Sequence, residues 1–394
     1  MDNTKQLNIE YFSLQSLFWM TYCMVVGFSV TYLLSCGYSN SEAGYILASA
    51  NICALILQPF FADLADRSKK INAMTIFLVS IEIIFVCSIG LFFIGVRSLI
   101  LTLIYVVMIT LANAVIAFLT SIQFLMDTSK SKINFGLCRA GGSLCFAILS
   151  ALMGIMIERI GMKSIPLALF IITLLIIGLC IFITRHSING NIKAVLTLEK
   201  KRSSSLFVFF NENPRFMILS IAMLFIYYAH AFITNFTISI VRNVGGDNRE
   251  MGYLIAFMAL MELPGMIGFK EISRRFKVSS LLLFSMIMFS IKAIIVWLSP
   301  SFMTLTFGFA LQVVSFAIYI PASVQYANII IDEKDTVKAQ MMFNLMQAGG
   351  AVFSSIIGGW LIDFSGISHA LLIGAILSCI GTIIAFAGIQ NTKR

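Results

Sequence analysis

KINFGLCRAGGSLCFAILSALMGIMIE, residues 132–158, carries one arginine, Arg139, at the head of a run that is otherwise apolar or small up to Glu158. A charge at the centre of a bilayer helix costs roughly 2.5 to 3.5 kcal/mol on insertion scales, so such a residue is rarely idle. Beside it stands AGG (140–142), and a shift of 208 residues lands on a second AGG (348–350). The same shift carries EAGY (42–45) onto EMGY (250–253) and brings the basic segments ADRSKK (65–70) and SRRFK (273–277) into register. One offset serving separate places marks an internal repeat. The chain reads as two copies of one half, with Gln347 at the position of Arg139.

The surrounding composition says what the halves are made of. Of 394 residues, 59% are hydrophobic and 11% charged, against about 25% charged in an ordinary soluble domain. Apolar runs long enough to cross a hydrocarbon core, which takes roughly 20 helical residues, follow one another to the end of the chain. Short stretches of alternating polarity, as in an outer-membrane barrel, are missing. The polar opening MDNTKQLNIE has no basic n-region or small-residue cleavage site, so the first span is expected to be retained. Eight cysteines lie almost all in apolar runs without a CxxC pair, and three histidines (186, 230, 369) are not spaced as ligands, so no metal, disulfide framework or cofactor is expected.

Breaks at charged and turn-rich segments give twelve spans, near 12–35, 42–62, 71–94, 98–126, 136–157, 164–184, 215–241, 251–269, 279–298, 301–330, 338–362 and 368–388. With both termini inside, 20 of the 27 Lys and Arg fall in cytoplasmic segments and five outside (Arg97, Arg159, Lys163, Arg242, Arg249), leaving Arg139 and Lys292 in the spans. That asymmetry chooses the orientation, and it explains the net charge of +9 by topology, not by nucleic acid. The longest polar segment, RHSINGNIKAVLTLEKKRSSS (185–205), divides the spans six and six. The expected organisation is therefore an all-α multi-pass protein of the inner or plasma membrane, with an N-terminal bundle at 1–188, a cytoplasmic linker at 189–210 and a C-terminal bundle at 211–394. Parallel six-helix repeats are a transporter plan with the solute site between the halves, which favours a carrier over a channel or a membrane enzyme.

With these residues in view, the chain resembles the major facilitator superfamily. ADLADRSKK (62–70) is similar to that superfamily's loop after span two, G-x-x-x-D-R-x-G-R-R: Asp66, Arg67 and Lys70 fit, whereas Ala62 replaces the first glycine. The resemblance makes these three residues a gating segment. NFGLCRAGGSLCF (134–146), with Phe135, Gly136, Arg139 and Phe146, resembles span five of the lactose permease and phenylpropionate-permease-like branch. MELPGMIGF (261–269) resembles that branch's span eight, which puts sugar contact and coupling on Glu262, and FSIKAIIVW (289–297) carries its basic position in span nine as Lys292. The departures are the second sugar-contacting carboxylate of span four, where this chain offers Asn113, Ser121 and Gln123, and the His and Glu of span ten, missing from SFAIYIPASVQY (315–326).

The charges within the spans are Glu82, Arg139, Glu262 and Lys292, with His230 as a neutral titratable group. Arg139 and Glu262 fall in opposite halves, so a solute held by both would bridge the parts that move in alternating access. A guanidinium fork suits vicinal hydroxyls or a carboxylate, and a carboxylate that protonates loses the cost of moving its charge through closed states. Arg139 as a snorkelling residue, Glu262 as a helix-pairing carboxylate, and Glu82 and Lys292 as structural partners of their neighbours stay open as plainer readings. His230 suits a proton relay or an interhelical hydrogen bond. Trp19 and Tyr227, paired by the 208 shift as are Tyr22 and His230, are candidate aromatic faces for a solute, or members of an interfacial belt. Gln123, Tyr319, Asn344 and Gln347 complete the solute-binding candidates, with Asn51, Gln58, Gln312 and Gln325 as further amides.

The expected function is a proton-coupled symporter for a small polar solute, first a sugar or oligosaccharide. The alternatives are an aromatic carboxylate or nucleoside as solute, drug efflux, or a solute-sensing receptor. No Ser/His/Asp, HExxH or P-loop pattern supports an enzyme or direct ATP coupling. Solute, proton and bilayer are the expected partners, and a monomer suffices.

Overall fold

The computed structural model describes residues 3–68, 71–127, 133–186, 206–332 and 335–392. Among the described residues ten helices are long and apolar enough to cross a membrane, and two bent pairs, Thr4–Gly27 with Ser29–Ser35 and Leu99–Ala114 with Ile116–Met126, bring the spans to twelve when each pair is taken as one span. The remaining spans are Asn40–Arg67, Ala73–Phe93, Phe135–Ile160, Ser164–His186, Pro214–Asn235 continued by Thr237–Asn243, Asn248–Arg275, Val278–Leu298, Phe302–Ile330, Thr336–Ser365 and Ile367–Gly388. A short helix, Leu206–Glu212, precedes span seven.

Local chemistry sets the ends. Side chains of Asn72, Ser98 and Asn134 accept from backbone N–H groups three residues on, and Asp247 with Glu250 forms a full capping box at the head of span eight. Gly161 and Gly366 stop spans five and eleven at φ of 88° and 85°, a region where a Cβ is strained. Helices overrun the expected spans where polar residues continue the helix beyond the apolar run. Ala62 to Arg67, expected in the loop after span two, complete its helix, and span one begins at Asn3.

The chain divides into two compact units, Met1–Ser39 with Ile46–Leu198, and Asn40–Tyr45 with Glu199–Arg394. Of the expected linker, 189–210, residues 189–205 lie outside the described residues. In the first unit span one packs on spans five and six, and span three on four and six; in the second, span seven packs on eleven and twelve, and span nine on ten and twelve. The pattern repeats with six added to each number. Small and hydroxyl residues make the contacts, as expected where lipid removes any hydrophobic drive between helices: Cys23 meets Ser150 at 3.0 Å, and Ser290 meets Ser378 at 3.0 Å and Thr382 at 2.8 Å.

Candidate functional site

In the first unit Arg139 lies one turn into span five, half-buried, with its guanidinium carbon 4.0 Å from the centre of the Trp19 ring and Nη1 donating to Ser143 Oγ at 2.9 Å. A cation over an indole gains about 0.5 to 2 kcal/mol, rising with desolvation. The ring is fixed from behind: Trp19 Nε1 donates to Gln15 Oε1 at 3.0 Å, Gln15 Nε2 to the Tyr11 hydroxyl at 2.7 Å, and that hydroxyl to the Leu119 carbonyl at 2.9 Å. AGG matters here because a Cβ on Gly142 would stand 2.5 Å from Trp19 Cδ1.

A second, uncharged network adjoins it. Span four bends by 43° after Ala114, and the Asn113 carbonyl accepts from Gln58 Nε2 at 3.1 Å. The Asn113 side chain accepts from the Tyr22 hydroxyl at 3.0 Å and donates to Asn51 Oδ1 at 2.9 Å. Tyr22 and Trp19 are 5.3 Å apart between ring centres, which joins the two sets. Phe146 is half-buried on span five, Gln123 half-buried outside the network, and Glu82 exposed on span three.

The second unit carries its polar groups differently. Lys292, 1% exposed, donates to Gln312 Oε1 at 2.6 Å, and Gln312 Nε2 donates to Glu262 Oε1 at 2.9 Å. Lys292 is a core residue because its long stem reaches inward from span nine. Gln312 sits in a 3-10 turn, Leu311–Val313, that interrupts span ten, and Glu262 is half-buried on span eight. His230 stacks on Phe316 at 5.0 Å between ring centres, with Phe289 at 5.2 Å and Tyr227 at 5.3 Å, and its buried Nδ1 has no hydrogen-bond partner among the described residues. Tyr319 lies 6.1 Å from Tyr227, and its hydroxyl accepts from Gln347 Nε2 at 3.1 Å. Asn344 is exposed on span eleven.

Of the gating segment, Arg67 is exposed and donates to Asp63 Oδ1 at 2.6 Å, Asp66 is in the helix backbone, and Lys70 lies outside the described residues. Gln15 and Ser143 were missed by sequence reasoning. Each stands four residues from a chosen residue, Trp19 and Arg139, and that helical spacing was the available signal. Among the described residues no group of three His, Cys, Asp or Glu is placed to hold a metal ion.

Twelve spans in two repeated sixes, each unit with polar side chains joined by hydrogen bonds within its spans, are the plan of a membrane carrier. The chain belongs to the MFS_1 like family, whose model matches residues 7–372, and is a major facilitator transporter, not an enzyme. It is similar to the maltose permease of Geobacillus stearothermophilus, 21% identical over 347 residues that cover 88% of this chain and 85% of the permease. Among solved structures, a variant of the nucleoside transporter NupG superposes with a TM-score of 0.79 at 15% identity, covering 98% of this chain and 99% of that one. A bacterial homologue of the human lysosomal transporter Spinster, inward-facing and unoccupied, gives 0.71 at 13% identity over 98% and 97%. At these identities the likeness shows the fold.

Proposed function

We propose that the chain is a proton-coupled symporter that takes up a sugar or short oligosaccharide by alternating access, across the inner or plasma membrane, with both termini cytoplasmic and the bundles 1–188 and 211–394 as the moving parts. The observation that carries this reading is the half-buried carboxylate of Glu262 at the end of a buried polar chain. A group that is anionic when open to water and neutral when enclosed moves one proton per cycle, because only the protonated form escapes the cost of a buried charge. Hydroxyl recognition falls to the Arg139 fork and the amides of Asn51, Gln58 and Asn113, and the faces of Trp19 and Tyr227 suit a sugar ring. The likeness to a maltose permease supports a sugar.

External pH in a weakly buffered suspension of de-energised cells making the protein tests this, as mono- and disaccharides, nucleosides and aryl acids are added in turn. Transient alkalinisation with sugars, lost in Arg139→Ala, is the expected result; silence across the panel rejects symport. A second reading, an aromatic carboxylate as solute, is favoured by the guanidinium laid on Trp19, which puts a cation and an aromatic ring at one place. In that case aryl acids alkalinise, and Arg139→Lys weakens transport less than it would for a sugar that needs a two-pronged contact.

A further inference from the structure

Lys292 and Gln312 are each 1% exposed, and the ammonium stands 5.1 Å from the centre of the Phe309 ring. An ammonium only donates and an ionised carboxylate only accepts. Gln312 gives its oxygen to Lys292 and its nitrogen to Glu262, the one orientation of the amide that satisfies both ends when both are charged. Among the described residues the titratable groups near the chain include His230, within the field of Lys292, and the phenols of Tyr227 and Tyr319. The repeat supplies an independent observation: at the 208 shift Lys292, Gln312 and Glu262 correspond to Ile84, Ile104 and Ala54. All three polar groups stand where the first copy has none, so they form a set.

We propose that Gln312 is a positioning residue that joins Lys292 to Glu262 as an amide-bridged ion pair, so that Lys292 sets the pH at which the solute-binding carboxylate takes up its proton. This rests on the reading of Glu262 as the proton-carrying group. A cation joined to the carboxylate through the amide favours its ionised form and opposes its protonation. The amide holds the two ends at a fixed separation and polarises in line with them. Without it the ammonium keeps the Phe309 ring beside it but loses the amide that joins it to the carboxylate.

Infrared titration of the purified full-length protein in proteoliposomes, with no solute added, reads the carboxyl directly. The protonated-carboxyl band that is missing in Glu262→Gln belongs to Glu262. Its midpoint is expected to move to higher pH by about 1 unit in both Lys292→Met and Gln312→Met, and no further in the combined variant, because the two act through one connection. Lys292→Arg is expected to stay near the wild type. A midpoint unmoved in Gln312→Met, or a combined shift equal to the sum of the two, overturns the proposal. Should Lys292→Met fail to fold, Lys292→Met with Glu262→Gln removes both charges and is expected to match or exceed the wild type in thermal midpoint; a double variant that also fails to fold overturns the pairing. If the infrared shifts occur and no sugar alkalinises the medium, the ion pair stands and the symport reading falls.

Discussion

Spans one and five of the first unit and spans seven and eleven of the second are two renderings of the same packing. Gly142 lies against Trp19, and 208 residues on Gly350 lies against Tyr227, where a Cβ would stand 3.0 Å from the tyrosine's own. Span one breaks at Phe28 and span seven at Phe236, again 208 apart. DTSK (127–130) and DTVK (335–338) match at the same shift. The side chains then part company. The neutral set Asn51, Gln58 and Asn113 corresponds to Ala259, Met266 and Pro321, while the charged set of the second unit corresponds to apolar residues of the first. Backbone approach has been kept in both copies because close helix packing in lipid depends on it. The chemistry has been divided: uncharged hydrogen bonding with one stacked arginine in one unit, a carboxylate and its counter-charge in the other.

The largest effect that can break this division is on coupling. Glu262→Gln is expected to abolish solute-driven proton uptake, whereas Asn113→Ala weakens solute affinity and leaves proton uptake per solute unchanged; pH electrodes and labelled-solute uptake measured together read both. Next is the pair Arg139 and Gln347. Arg139→Ala is expected to lower apparent affinity by about 10- to 100-fold, from the loss of hydrogen bonds to a charged group, and Gln347→Ala by less than about 5-fold, since its amide is spent on Tyr319. Equal losses would mean that the two copies share the solute evenly.

The glycines sharpen the same contrast. A Cβ on Gly350 meets backbone, Leu224 O at 2.6 Å and Tyr228 N at 2.9 Å, which cannot yield, so Gly350→Ala is expected to cost about 1 to 3 kcal/mol of stability in a thermal melt. The Cβ of Gly142→Ala meets a side chain, the edge of the Trp19 ring, which can shift at the cost of its hydrogen bond to Gln15. Its expected cost is the stack of Trp19 on Arg139, seen as weaker solute binding with a smaller change in melting. Smallest is Tyr22→Phe, which removes one neutral hydrogen bond to Asn113 and is expected to weaken affinity by less than about 10-fold.

The twelve spans and the repeat were legible in the sequence because hydrocarbon thickness fixes span length and duplication leaves a constant offset. Helix ends were less so: hydropathy stops at the membrane surface, while a helix such as Asn40–Arg67 runs on through polar residues. The named polar residues of the second unit were legible one by one as charges in apolar runs, but not their connection. That Gln312 lies between Lys292 and Glu262 depends on the 3-10 turn that aims its side chain inward, and the local sequence LQV carries no sign of it. Gln15 was hidden for a similar reason: its importance comes from Trp19, one turn away.

The division of chemistry between the copies is tested most directly by measuring entrance counterflow and proton-driven accumulation side by side in membrane vesicles, with the sugar that alkalinises the medium, for the wild type and Glu262→Gln. The account predicts that Glu262→Gln retains counterflow and loses accumulation. Accumulation that survives in Glu262→Gln would show that the proton travels elsewhere and would contradict the assignment of coupling to the second unit's charged chain.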